Sequence, residues 1–214
     1  MLARIIALVI GYACGLFQTG YLYGKKKNFD LRTHGSGNSG TTNTIRTMGW
    51  KAGGIVFLGD VLKAVIAVIV TWFVFRGQEE VDINVLELYA GAGAVLGHDF
   101  PFYLKGKGGK GMACTAGIVF SVCPILTIPE AILFFVPLFI TRYVSLSSIL
   151  VSIGLPVFSY FLYNVGLLRV SEAGIHEFVF LMILIGALNV FQHRSNIGRL
   201  LAGTENKLGS KKSE

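Results

Sequence analysis

The chain reads as an all-α integral membrane protein of seven spanning helices, and three observations carry that reading. Hydrophobic residues make up 53% of its 214 residues and charged residues only 14%, whereas a soluble domain carries about 25% charge. The apolar residues come in long runs: residues 5–24 hold no charged side chain, nor do residues 143–168. About 20 helical residues cross a hydrocarbon core of roughly 30 Å, so both runs are long enough to span. The third observation is the uneven placement of the basic residues.

The first span covers residues 5–24. Arg4 precedes it, as in a signal peptide, but the apolar stretch exceeds the roughly 7–15 residues of a signal core. Lys25, Lys26 and Lys27 follow as a stop-transfer pattern, so the helix is expected to be retained. The second span runs over 52–75 and the third over 84–100. Residues 112–141 contain one charge, Glu130, and three prolines, Pro124, Pro129 and Pro137. One straight helix of that length would overshoot the bilayer, and proline removes a backbone donor, so two shorter spans turning near 124–129 are predicted. The sixth span is 143–163 and the seventh 174–191. Residues 1–202 form one transmembrane domain, and 203–214 a short cytoplasmic tail with the look of a frayed end. Cys14, Cys114 and Cys123 lie in apolar stretches and read as small buried hydrophobes.

With seven spans, 15 of the 19 lysines and arginines fall on one side of the membrane. Arg4, Arg76 and Arg169 fall on the other, beside Glu79, Glu80, Asp82 and Glu172. The basic side is cytoplasmic by the positive-inside rule, which places the N-terminus outside and the C-terminus in the cytoplasm. The net charge of +7 is largely accounted for this way, and no nucleic-acid partner is expected. Inside the second span, Asp60 and Lys63 stand three apart on one helical turn. They either pair with each other or mark a functional charge within the membrane.

The unusual chemistry lies in the connections on the basic side. Residues 35–46 read Gly-Ser-Gly-Asn-Ser-Gly-Thr-Thr-Asn-Thr-Ile-Arg. Glycines allow backbone N–H groups to converge, Ser36, Ser39, Thr41 and Thr42 add hydroxyls, and a helix starting near Thr41–Thr44 would aim its positive end there. Arg46 would sit one turn along. Such a segment is a phosphate or carboxylate cradle, and its bland alternative is a flexible polar loop. The second segment, 97–111, interleaves Lys105, Lys107 and Lys110 with Gly106, Gly108, Gly109 and Gly111. It forms either a further anion site or the basic edge of the membrane. The third, 193–207, follows the last span with His193, Arg194, Asn196 and Arg199, and reads in part as a basic segment lying on lipid headgroups. A short fourth segment holds Arg142 and Ser145.

These segments closely resemble the bacterial acyl-phosphate glycerol-3-phosphate acyltransferase family, PlsY. The motif G-S-G-N-x-G-x-T-N-x-x-R-x-x-G is matched by 35–49, G-H-x-F-P with K-x-K-G-G-K-G by 97–111, and H-R-x-N-I-x-R-L-L-x-G-x-E-x-K by 193–207. Departures are small: Ser39 and Thr41 replace more usual apolar or small residues, and Gly106 stands where an aromatic is common. The resemblance implies transfer of a fatty acyl group from acyl phosphate to the 1-hydroxyl of glycerol 3-phosphate, giving lysophosphatidic acid and phosphate. It implies a multi-pass protein of the bacterial cytoplasmic membrane, with membrane lipid as its surroundings and product. A monomer is expected, with no cofactor and no metal.

On charge and position, Ser36, Thr42, Asn43 and Arg46 are expected to bind one phosphate. Lys105, helped by Ser145, is expected to stabilise the oxyanion or the leaving phosphate, and His193 and Asn196 to complete the pocket. Gly37, Asn38, Gly108, Gly109, Lys110 and Arg142 are further candidates for substrate contact. No H-x-x-x-x-D motif is present, since Ser39, Tyr103, Leu181 and Gly198 stand five residues after the four histidines. The alternative reading is a small phosphate-ester transporter using the same cradles. It would require polar residues deep in several spans, where few are found beyond Asp60, Lys63, Glu87 and Glu130.

Overall fold

A computed structural model describes residues 1–78 and 81–209 of the chain. Glu79 and Glu80 of the acidic connection, and Lys211 and Lys212 of the basic tail, lie outside the described residues. The described residues form helices and irregular connections, with no strand. In chain order the helices are α1 (Leu2–Gly15), α2 (Thr19–Lys26), α3 (Thr41–Phe75), α4 (Ile83–Asp99), α5 (Met112–Val122), α6 (Thr127–Thr141), α7 (Val144–Asn164), α8 (Ile175–Gln192) and α9 (Arg194–Leu201).

Five segments are long and apolar enough to cross a membrane: Leu2–Lys26, Thr41–Phe75, Pro124–Thr141, Val144–Asn164 and Ile175–Gln192. Helices α4, of 17 residues, and α5, of 11, fall short of that length. The outward faces are apolar, with Leu58, Phe73, Val157, Phe161 and Phe180 all more than half exposed, as suits a lipid surrounding. The interior holds polar groups that a soluble core would put outside. Asp60, Lys63, Ser147, Ser159 and Asn189 are all buried.

The expected first span is interrupted. Gln18 sits between α1 and α2, 1% exposed, and its Nε2 donates to the carbonyls of Gly15 at 3.2 Å, Gly97 at 3.1 Å and His98 at 3.0 Å. Helix α1 packs against α4 through small residues that let the backbones meet. A Cβ on Gly11 would lie 1.8 Å from the Ala90 carbonyl oxygen, and one on Gly93 would lie 2.1 Å from that of Leu8.

Helix α3 is broken at Gly49, whose φ of 85° and ψ of 173° leave the helical region. Residues 41–48 thus form a separate short helix before the spanning part. The turn between α5 and α6 falls where the prolines predict it. Pro124 opens a single 3₁₀ turn, Pro124–Leu126. Pro129 makes no break, because it stands in the first turn of α6, where a missing N–H costs little.

Residues 203–209, the described part of the expected tail, fold back on the bundle. Thr204 N–H donates to the Arg199 carbonyl at 2.8 Å, and Leu208 N–H to that of Arg142 at 2.8 Å. Glu205 is 7% exposed. The segment returns across the bundle because Arg142, Arg199 and Asn196 offer donors that water alone would otherwise satisfy.

Candidate active site

The three glycine-rich segments meet at one end of the bundle. Asn43, 2% exposed, folds the first of them. Its Oδ1 accepts from Ser36 N–H at 2.8 Å, and its Nδ2 lies 3.1, 3.0 and 2.9 Å from the carbonyls of Leu31, His34 and Asn38. Its amide is therefore spent on shaping the loop, which corrects the expectation that it binds phosphate directly. Asn38 Oδ1 accepts from Gly40 N–H at 2.9 Å, and its Nδ2 donates across to the Gly108 carbonyl at 3.3 Å, tying the first segment to the second. Helix α3 begins at Thr41 as expected, and the N–H groups of a helix's first turn lack intrahelical partners.

In the second segment the glycines do a different task from the one expected. Gly108 N–H donates to the Asp99 carbonyl at 3.2 Å and Gly109 N–H to that of His98 at 3.0 Å. They close the end of α4 instead of presenting donors to an anion. A Cβ on Gly109 would stand 1.9 Å from His98 Nε2, so the strand of backbone lies flat on that ring. His98 is in turn held from below. Lys63 Nζ donates to its Nδ1 at 2.7 Å and pairs with Asp60 at 3.0 Å. The anticipated Asp60–Lys63 pair thus forms and supports the loop that carries Lys110.

A cavity of about 380 Å³ opens beneath these loops. Its polar mouth is lined by Ser36, Asn38, Thr41, Thr42, Arg46, Lys110, His193, Asn196 and Glu205, and Asn43 borders it too. Ser145 lines it from α7, and the remaining wall is mostly apolar, with Met112, Ala116, Val119, Phe134 and Val151, though Asp60, His98, Thr127 and Glu130 line it too. Thr41 Oγ1, Arg46 Nε and Ser145 Oγ are buried without a hydrogen-bond partner. Among the described residues, neither Arg46 nor Lys110 forms a salt bridge. The one carboxylate that lines the mouth near them, Glu205, is paired with Arg199, so two cations free of ion pairs, beside unpartnered donors, make an anion site.

The third segment closes the mouth. Arg46 Nη2 donates to the Asn206 carbonyl at 2.9 Å. Lys110 Nζ donates to Asn196 Oδ1, whose amide donates to Glu205 Oε1 at 3.1 Å, and Arg199 holds Glu205 Oε2 at 2.8 Å. Burial, together with the nearby Arg199, lowers the Lys110 pKa to about 8. His193 Nδ1 lies 2.8 Å from the Asn189 carbonyl, so that nitrogen carries the proton and Nε2 is left as the acceptor. Burial lowers the His193 pKa to about 4 and keeps the ring neutral.

Lys105 is not in this cavity. It is exposed, at the left-handed end of the turn Phe102–Leu104, and lines an adjoining cleft of about 750 Å³ with Lys107, Gly37, Gly108, Gly109, Arg32 and Arg194. The two spaces share Asn38 and Lys110. The expected partnership of Lys105 with Ser145 therefore does not form, and the lysine that shares a cavity with Ser145 is Lys110. Arg142 lines neither space. It is exposed, and its guanidinium donates to the Leu208 carbonyl at 2.7 Å, pinning the returning segment. Glu205 is the residue the sequence reading left out of the site. Its signal was the glutamate of the third motif, whose burial shows only once the tail folds back.

A family model described as glycerol-3-phosphate acyltransferase matches residues 5–203. The chain belongs to that family. Curated glycerol-3-phosphate acyltransferases are similar along almost its whole length. One from Thermoanaerobacter sp. (strain X514) is 38% identical over 208 residues, 97% of this chain and 96% of that one. One from Clostridioides difficile (strain 630) is 40% identical over 214 aligned positions, 97% of each chain. The crystal structure of PlsY, an integral membrane glycerol 3-phosphate acyltransferase, in its glycerol 3-phosphate form, superposes with a TM-score of 0.80. That protein is 34% identical, with 96% of each chain covered. Its lysophosphatidic acid form gives a TM-score of 0.79 at 33% identity, covering 96% of this chain and 95% of that one. The protein is thus a membrane acyltransferase.

Proposed function

We propose that this acyltransferase uses acyl phosphate as donor and esterifies the 1-hydroxyl of glycerol 3-phosphate at the cavity between Arg46 and Lys110. The observation that carries the reading is the cavity's division: an anion-binding mouth continuous with an apolar shaft. A phosphorylated head and an alkyl chain need that combination. Solved structures of a relative with glycerol 3-phosphate and with lysophosphatidic acid support it.

In this reading Arg46, the hydroxyls of Ser36, Thr41 and Thr42, and the first turn of α3 hold the phosphate of glycerol 3-phosphate. Lys110 faces the acyl phosphate, where negative charge grows on the carbonyl and leaving oxygens, and fixed cations in a dry site stabilise that charge strongly. The 1-hydroxyl oxygen attacks the acyl carbon, the ester C–O bond forms, and the bond to the leaving phosphate breaks. His193 Nε2 accepts the hydrogen bond of the attacking hydroxyl and orients it. The proton ends on the departing phosphate, which is the stronger base. Asn196 and Glu205 hold Lys110 in register. All these groups come from one chain, so a monomer suffices.

The same reading places the cavity mouth in the cytoplasm, with seven crossings, the N-terminus outside and the C-terminus inside a bacterial inner membrane. The basic connections support this orientation. Single cysteines at the exposed Lys107, Gln78 and Ser171 test it: an impermeant reagent should label Lys107→Cys only from the cytoplasmic face, and the other two only from outside. The donor is tested with purified protein, labelled glycerol 3-phosphate, and either acyl phosphate or acyl-CoA. Lysophosphatidic acid should form with acyl phosphate alone, and comparable rates with acyl-CoA would remove the donor assignment.

A further inference from the structure

The shaft of the cavity does not end in hydrocarbon. Along α5 its lining runs from Met112 to Val119, seven residues or about 10 Å of helix. Opposite that deep end, in the first turn of α6, stand Thr127 and Glu130. Glu130 is 5% exposed, and both of its carboxyl oxygens are buried without a hydrogen-bond partner, as is Thr127 Oγ1. The neighbouring α7 makes room for the carboxyl: a Cβ on Gly154 would lie 3.1 and 3.2 Å from its two oxygens. An ionisable group kept at such a place in a membrane protein is costly and calls for a use.

We propose that Glu130, with Thr127, gauges the length of the acyl chain. This rests on the reading that the chain of the donor and product lies in this cavity. A chain that stops short of α6's first turn packs against Met112, Ala116 and Val119 and leaves the carboxyl undisturbed. A longer chain must press its last methylenes against unpartnered oxygens, or bend out past Phe57 and Phe135, which are 42% and 49% exposed. Either course weakens binding of long chains more than of short ones.

The test is a series of saturated acyl phosphates from decanoyl to stearoyl, with kcat/KM measured for wild type, Glu130→Leu, Glu130→Gln and Thr127→Val in lipid nanodiscs. One methylene in an apolar pocket is worth about tenfold or more in specificity. Glu130→Leu should therefore raise the stearoyl-to-dodecanoyl ratio by at least about tenfold, and Thr127→Val should move it in the same direction. Glu130→Gln, still polar, should keep the wild-type order. A purely structural role would change all lengths alike, and an unchanged ratio in both Glu130→Leu and Thr127→Val overturns the gauge. If wild type turns over no acyl phosphate, the donor reading fails instead. Inhibition by lysophosphatidic acids of the same chain lengths then reads the gauge independently, with the same shift expected.

Discussion

Arg46 and Lys110 approach the mouth of the cavity from different helices' ends, and their surroundings give them different chemistry. Arg46 keeps its charge at any working pH, whereas Lys110, drawn down to about 8 by burial, can lose its proton within the assay range. As pH rises through that value the free enzyme loses a cation, so kcat/KM should fall above pH about 8. Lys110→Arg should abolish that alkaline limb, which a pH profile of initial rates would reveal. Removing a charge-assisted contact to a phosphate costs about 1.5–3 kcal/mol. Arg46→Ala and Lys110→Ala should therefore each lower kcat/KM by about tenfold or more. Lys105→Ala, removing an exposed charge, should change it by no more than about fivefold. A larger loss from Lys105→Ala would return that lysine to the reaction centre. The three lysines of K-x-K-G-G-K are indistinguishable by type and spacing. Only the lie of the loop on His98 decides that Lys110 turns inward. Asn43 misled for a related reason, since an amide that folds its own loop looks, in sequence, like one awaiting a ligand.

Among the elements, long apolar helices were the most legible, because hydropathy and proline act locally. The breaks at Gln18 and Gly49 were not. Gln18 interrupts the first passage to satisfy carbonyls 79 and 80 residues away, which no local pattern reports. The loop over His98 is the element on which the site most depends. Gly109→Ala would force a Cβ within 1.9 Å of the ring, while Gly54, with nothing within 4 Å, has room. Overpacking costs about 1–3 kcal/mol. We expect Gly109→Ala to lose most activity and Gly54→Ala to keep it, compared in matched proteoliposomes. Helix α9 and the returning tail form the other critical element. Glu205→Ala leaves Arg199 and the Asn196 amide without their acceptor, and turnover should drop about tenfold with normal membrane insertion.

At the scale of the whole molecule, the buried charges join the amino-terminal helices to the centre. Asp60 accepts from Thr19 Oγ1 at 3.1 Å and pairs with Lys63, which also donates to the Phe17 carbonyl at 2.8 Å. The cluster, with His98 on Lys63, thereby bridges α2, α3 and α4 through side chains that are buried. Breaking such a pair costs about 3–5 kcal/mol, while removing both partners costs far less. Lys63→Met and Asp60→Asn should each destabilise the fold severely, and the double variant should recover most of the loss. Denaturation in micelles, read as a double-mutant cycle, measures this. Additive losses would mean that the pair is not coupled.

The contact between Arg46 and Asn206 joins positions 160 residues apart. Ribosomes add about 5–20 residues each second, so the arginine waits on the order of ten seconds for its partner to be made. During that interval the nascent chain already sits in the bilayer with an unfinished anion cradle. Competence therefore waits for the segment that carries Asn206, and a chain terminated before it, though it inserts well, would still be silent.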